Sequence, residues 1–219
     1  MSGPATAERS PVRSDGPEPG ARVVAAVLPW LLTLCGAVGL TAATALLVEK
    51  IRVLADPDHV PACSIDPVLS CGTVMTTPQA EVFGFPNPIL GVIGFTIVTT
   101  VGVALIAGGR FPRWFWLGLQ AGTLFGAVFV HWLIFQSLYR IGALCPYCMV
   151  VWAVTVPIFW YVTLYNLRAG HASPAPAPVS VRAVVDVLTR YHSTVLGVWA
   201  AVLVGLIAHA FWSYWSLLL

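Results

Sequence analysis

The sequence predicts an all-α integral membrane protein with five transmembrane helices. Three observations predict it. Of 219 residues, 58% are hydrophobic and 9% are charged, whereas soluble domains carry about 25% charged residues. The mean hydropathy is +0.84. The few charges also punctuate the chain, leaving long runs without Asp, Glu, Lys or Arg. Eleven Lys and Arg against nine Asp and Glu give a net charge of +2, too sparse and balanced for the clustered basic face of a nucleic-acid binder.

The elements follow from those runs. Residues 1–22 are rich in Pro, Ser, Ala and Gly without apolar periodicity, which reads as a disordered tail. The uncharged gaps Arg22–Glu49, Glu81–Arg110, Arg113–Arg140, Arg140–Arg168 and Arg190–Leu219 each exceed the roughly 20 residues that cross a bilayer as a helix. Backbone polar groups in hydrocarbon must bond to one another, so these segments are expected to be helical. The spans are placed near 23–48, 88–108, 114–138, 143–167 and 193–217. Trp114, Trp116, Tyr139, Tyr165, Tyr191, Trp212, Tyr214 and Trp215 gather near their ends, as in an aromatic belt. The first span is too long for a signal-peptide core and lacks a convincing cleavage site, so it is read as retained. Residues 168–192 form a linker, in which Ala172–Pro178 has the composition of an extended spacer.

Orientation follows from the basic residues. Arg9, Arg13, Arg22, Arg110, Arg113, Arg168, Arg182 and Arg190 fall on one side of the five spans; Lys50, Arg52 and Arg140 fall on the other. The positive-inside rule then puts the N-terminus and the 168–192 linker in the cytoplasm. The 49–87 loop lies outside. It is the longest between spans, and long loops concentrate function.

Four of the five cysteines meet on that face. Cys63 and Cys71 lie in the 49–87 loop; Cys145 and Cys148 lie at the start of span four. Two spans separate the pairs, so parity alone places them on one side. Outside the cytoplasm, disulfides form and persist. Cys145-Pro-Tyr-Cys148 is a C-x-x-C at a helix start. Pro146 suits the first turn, and the positive helix end favours a thiolate, above all at Cys145. Cys63 and Cys71 form a loop pair able to visit more than one partner. The arrangement favours thiol–disulfide chemistry. The alternatives are a non-enzymatic scaffold clamped by structural disulfides, and a four-cysteine zinc site, which an oxidising face and the x7 spacing disfavour. Cys35, deep in span one, reads as a packing residue. His131, in span three, could serve protons or pack near a ligand, or be a satisfied core histidine. Asp56, Asp58 and Asp66 read as loop-solvating groups. A C-x-x-C at the membrane boundary points to an electron acceptor that lives in lipid. The chain has no C-x-x-C-H haem motif, no Fe–S cysteine run and no dinucleotide fingerprint, so a quinone fits best.

Cys63-x7-Cys71, Thr77, Asn87-Pro-Ile-Leu-Gly91 and Cys145-x-x-Cys148, in that order, resemble the vitamin K epoxide reductase family, in particular bacterial homologues without a fused thioredoxin-like domain. The likeness covers about residues 24–167. The disulfide-bond protein B family places its two pairs in the opposite order. The resemblance implies a four-helix bundle (23–167) around a quinone, capped by an outer loop with a short horizontal helix over 72–83, and a fifth helix (193–219) outside the core. It implies that Cys148 faces the quinone, that Cys145 exchanges with Cys71, and that Cys63 meets a partner. It implies that Asn87 hydrogen-bonds a quinone oxygen, with Thr77 the hydroxyl near the loop cysteines. Trp152 stands where animal members carry a tyrosine, and its indole N–H could substitute. The implied partner is a separate thioredoxin-fold (DsbA-like) protein on the outer side of a bacterial cytoplasmic membrane. The implied acceptor is menaquinone or ubiquinone, with no metal.

Overall fold

The computed structural model describes residues 19–56, 58–171, 179–212, 214 and 216. Five helices are long and apolar enough to cross a membrane: Val23–Ala55, Pro88–Ile106, Arg113–Ile141, Pro146–Arg168 and His192–Ala210. The protein is an all-α membrane protein, and no strand occurs among the described residues.

Helix α1 (Pro19–Ala55) runs seven residues past the expected end of span one. Its 37 residues make about 55 Å at 1.5 Å per residue, longer than the roughly 30 Å hydrocarbon core. Its last turns therefore carry Glu49, Lys50 and Arg52 clear of the apolar stretch. The expected tail over 1–22 lies outside the described residues up to 18, and 19–22 are already helical.

The loop between α1 and the second span, called the outer loop after its expected side, departs from the expected single helix over 72–83. Helix α2 spans only Cys71–Met75, and Pro78–Glu81 forms a separate 3₁₀ turn. Pro78 is the cause. It disfavours helical dihedrals in the residue before it, and Thr77 is extended at φ −83°, ψ 151°.

Helices α3 (Pro88–Ile106), α4 (Arg113–Gln136) and α5 (Pro146–Arg168) complete a four-helix bundle with α1. Helix α1 packs on α3 and α5, and α4 on α5. The α1–α3 seam is closed by small residues, as membrane helices require. A methyl group on Gly102 would lie 2.5 Å from the Thr33 backbone nitrogen. Gly102→Leu is therefore expected to push α3 off α1 and to destabilise the fold by about 1–3 kcal/mol, read as an earlier unfolding midpoint in detergent. Across the α4–α5 seam, buried Asn166 donates to the Trp116 carbonyl at 3.2 Å and to Gln120 Oε1 at 3.1 Å.

The 168–192 segment holds an amphipathic helix, α6 (Val179–Arg190). Arg168 ties it to the bundle through Thr189 (2.8 Å) and Asp186 (3.2 Å). The expected spacer at 172–178 lies outside the described residues. Helix α7 (His192–Ala210) has no fully buried residue, as for a helix on the lipid-facing rim. It breaks at Phe211, which leaves helical dihedrals; Trp212, Tyr214 and Ser216 beyond it are helical again, and the expected end at 217 lies outside the described residues. Phe211 is buried in a cluster with Val68 of the outer loop.

Candidate active site

Two short segments set the site. Helix α4 continues into a π-helical turn, Ser137–Ile141, stopped by Gly142 at φ 70°. That left-handed conformation suits glycine and turns the chain back toward α5. Leu144 then pairs with Leu69 in an isolated parallel bridge. The Ser70 N–H donates to the Leu144 carbonyl (2.9 Å), and the Leu144 N–H to the Val68 carbonyl (2.7 Å). The residues that follow each segment are Cys71 and Cys145, so the bridge places them side by side.

Local capping holds both cysteines. Ser70 caps α2, its Oγ accepting from the Thr73 N–H at 3.2 Å. Asp66 shapes the preceding turn, its Oδ1 accepting from the Val68 and Leu69 N–H groups, both at 2.8 Å. It is thus structural where the sequence suggested only solvation. Cys145 caps α5, with Pro146 at the first helical position.

Cys63 and Cys71 form a disulfide, and Cys145 and Cys148 are free thiols. The Sγ atoms of Cys71 and Cys145 are 3.2 Å apart. Cys71 and Cys145 are fully buried and Cys63 nearly so, in one apolar cluster with Leu46 and Met75. The Cys148 thiol, donating to the Cys145 sulfur, is the largest influence on Cys145 and holds its thiol below the ordinary cysteine range. Burial opposes this, and the Cys148 and Tyr147 backbone N–H groups support it. A thiolate is the reacting form in exchange, so the sulfur nearest Cys71 is the favoured one. Cys35 is half-buried inside α1 and packs against the bundle core, away from this cluster.

Behind the sulfurs lies a partly open cavity of about 510 Å³ lined by α1, α3, α4, α5 and the outer loop. Its wall is mostly apolar and includes Cys148, Trp152, Asn87, Thr77 and Lys50. Cys148 joins the sulfur cluster to this cavity. The Trp152 indole is almost wholly buried. Its Nε1–H is the single buried side-chain polar atom without a partner among the described residues, and such orphans are costly unless a ligand or water answers them.

Asn87 sits at the start of α3 but does not cap it with its side chain. It braces the outer loop instead. Its Nδ2 donates to the Gln79 carbonyl at 2.7 Å, and its Oδ1 accepts from the Val82 N–H at 3.2 Å. These partners fix the amide's orientation and leave one of its two N–H donors to spare. The Thr77 hydroxyl donates to the Val74 carbonyl at 2.8 Å, which leaves its oxygen able only to accept.

His131 lies elsewhere. It is not part of the cavity wall. Trp199 of α7 donates its Nε1–H to His131 Nε2 at 3.0 Å. An indole N–H can only donate, so the imidazole proton sits on Nδ1, which donates to the Ala127 carbonyl at 2.7 Å. The ring is a satisfied link between α4 and α7, a placement that does not bring it to the cavity.

A profile of the vitamin K epoxide reductase family matches residues 30–163, more than half of the chain. The chain belongs to the vitamin K epoxide reductase family. No match was found among curated proteins. Membership makes this member a membrane oxidoreductase of a disulfide- and quinone-linked family. The matched region contains all four clustered cysteines, Thr77, Asn87, His131 and Trp152, and it excludes α6 and α7. Two features of the site had no counterpart in the sequence reading. One is Lys50 in the cavity wall. The other is the contact of α7 with His131 and Val68. Among the described residues, no group of three or more His, Cys, Asp or Glu is arranged to hold a metal ion.

Proposed function

We propose that this family member is a quinone-dependent thiol–disulfide oxidoreductase. It takes electrons from a thioredoxin-fold partner through Cys63/Cys71 to Cys145/Cys148 and on to a quinone, and so supports disulfide-bond formation outside a bacterial cytoplasmic membrane. The observation that carries this reading is the 3.2 Å contact between Cys71 and Cys145, with Cys148 opening onto the cavity.

The chemistry balances residue by residue. A partner thiolate attacks Cys63, the Cys63–Cys71 bond breaks, and Cys71 leaves as a thiolate. The partner's second thiol then frees Cys63. In an enzyme whose inner pair is oxidised, Cys71 attacks Cys145, and Cys148 leaves as a thiolate at the cavity. Cys63 resolves the Cys71–Cys145 bond and restores the loop disulfide. The arrangement seen here, with the loop pair oxidised and the inner pair reduced, corresponds to the stage after that transfer. Re-formation of the Cys145–Cys148 disulfide then releases two electrons.

A quinone bound in the cavity would supply the two-electron acceptor. The residues present fit one. The apolar walls suit its ring, and the unpartnered Trp152 Nε1–H and the spare Asn87 N–H would answer its carbonyl oxygens. Thr77, already donating to Val74, holds the loop that roofs the cavity. His131 takes no part in this reading, because its ring is spent on Trp199 and Ala127.

The test is direct. Purified protein mixed anaerobically with a small dithiol and a soluble quinone should reduce one quinone per dithiol oxidised; no reduction sinks the proposal. Trp152→Phe keeps the ring and removes the donor. It should weaken quinone binding by about fivefold, the value of one neutral hydrogen bond, seen as a raised KM for quinone with the KM for dithiol unchanged.

A further inference from the structure

Lys50 is the one residue with a charged side chain in the cavity wall among the described residues. It stands near the end of α1 and is 6% exposed. Burying an ammonium against apolar side chains is costly unless it is paired. Its pairing is incomplete. The Nζ group donates to the Met75 carbonyl at 2.8 Å and meets Glu81 Oε1 at 2.8 Å. An ammonium has three donors, so one remains.

The four-residue turn Pro78–Glu81 connects Lys50 to Asn87, another polar residue of the wall. Glu81, at one end of that turn, holds Lys50. Gln79, within it, accepts from Asn87. One turn thus fixes a cation and an amide donor on the same cavity, on the outer-loop side. Lys50 lines the cavity, and its partner Glu81 is 41% exposed at its side chain, so the pair reaches from the cavity wall to the exposed edge of the loop.

We propose that Lys50 forms a cationic subsite of the cavity, one that binds a negatively charged oxygen of a quinone-type ligand. This rests on the reading of the cavity as a quinone site and deepens it. Asn87 and Trp152 donate neutral hydrogen bonds and serve a neutral carbonyl. Lys50 adds what they lack, an ammonium on a side chain only 8% exposed, held by Glu81 with one N–H left over. Charge in such a site interacts far more strongly than at a surface. The subsite therefore favours the ligand's anionic forms over its neutral ones, and by doing so favours acceptance of electrons.

The experiment measures binding alone, in detergent, without dithiol. Two ligands share one ring: 2-hydroxy-1,4-naphthoquinone, deprotonated at neutral pH, and its neutral 2-methoxy analogue. The quantity read is the preference, the ratio of the neutral ligand's Kd to the anion's. Lys50→Met should lower the preference at least about tenfold while changing the neutral ligand's Kd by less than about threefold. Lys50→Arg should restore most of it. An unchanged preference in Lys50→Met, or an equal loss of both ligands, overturns the proposal. Should Lys50→Met fail to fold, Glu81→Gln decides. Removing the carboxylate that competes for the ammonium should raise the preference, and an unchanged or lowered preference overturns the subsite. If the wild-type protein binds neither ligand, the cavity reading itself fails, whereas binding of the neutral ligand without anion preference defeats the subsite alone.

Discussion

Cys148→Ala and Cys145→Ala each bring dithiol-driven quinone reduction below about one-thousandth of the wild-type rate, because each removes a sulfur that no other group replaces. The two losses have different origins. Without Cys148, the Cys145 sulfur still lies 3.2 Å from Cys71 and can exchange with it, but nothing carries electrons to the cavity. Without Cys145, Cys148 still lines the cavity but cannot close a disulfide, and the loop pair has no sulfur to attack. Cys35→Ala is the control. That side chain packs in the bundle core away from both pairs, and its loss should leave turnover within a factor of about two. Stopped-flow absorbance of the quinone measures all three, and near-wild-type rates in either inner-pair variant would remove the basis of the proposed route.

Cys63→Ala gives the second large effect, and it depends on the reductant. Turnover with a folded thioredoxin-like protein falls to background, whereas turnover with a small dithiol persists. The asymmetry comes from access. Cys71 is fully buried against Cys145, out of reach of a folded partner's thiol. Cys63 keeps 7% exposure where Cys71 has none, and it lies in a segment whose Val60 and Ile65 are 73% and 71% exposed, an apolar rim on which a partner can rest. A small dithiol can instead reach Cys148 through the cavity side. Parallel assays with the two reductants check this, and an equal loss with both would show that Cys63 does not select the route of entry.

The fold was legible wherever one residue type carried the signal. The gaps between charges located all five spans, and span parity put the two cysteine pairs on one face, which the Cys71–Cys145 contact confirms. Where a signal needed two elements at once, it was not legible. Pro78 was visible in the sequence and breaks the loop helix that the resemblance implied. Apolar residues of α6 have helical spacing (Val181, Val184, Val185 and Leu188), yet read as linker because a Pro-rich run precedes them. The resemblance implied Asn87 as a ligand donor, and the structure shows a use that it did not announce, bracing the outer loop. Lys50 looked like a boundary charge, because its burial depends on a loop that folds back from 25 residues further on to present the Met75 carbonyl. The His131–Trp199 link joins residues 68 apart, and nothing local announces it.

The central claim is that electrons cross from the loop pair to the inner pair through one sulfur–sulfur contact. Cys63→Ala removes the sulfur that resolves the Cys71–Cys145 bond, and Cys148→Ala removes the competing partner of Cys145. The doubly substituted protein, oxidised mildly and digested without reduction, therefore isolates that contact for mass spectrometry. The account predicts a single dominant cross-linked species joining the Cys71 and Cys145 peptides. Two free thiols at those positions, or cross-links only between separate molecules, would contradict it.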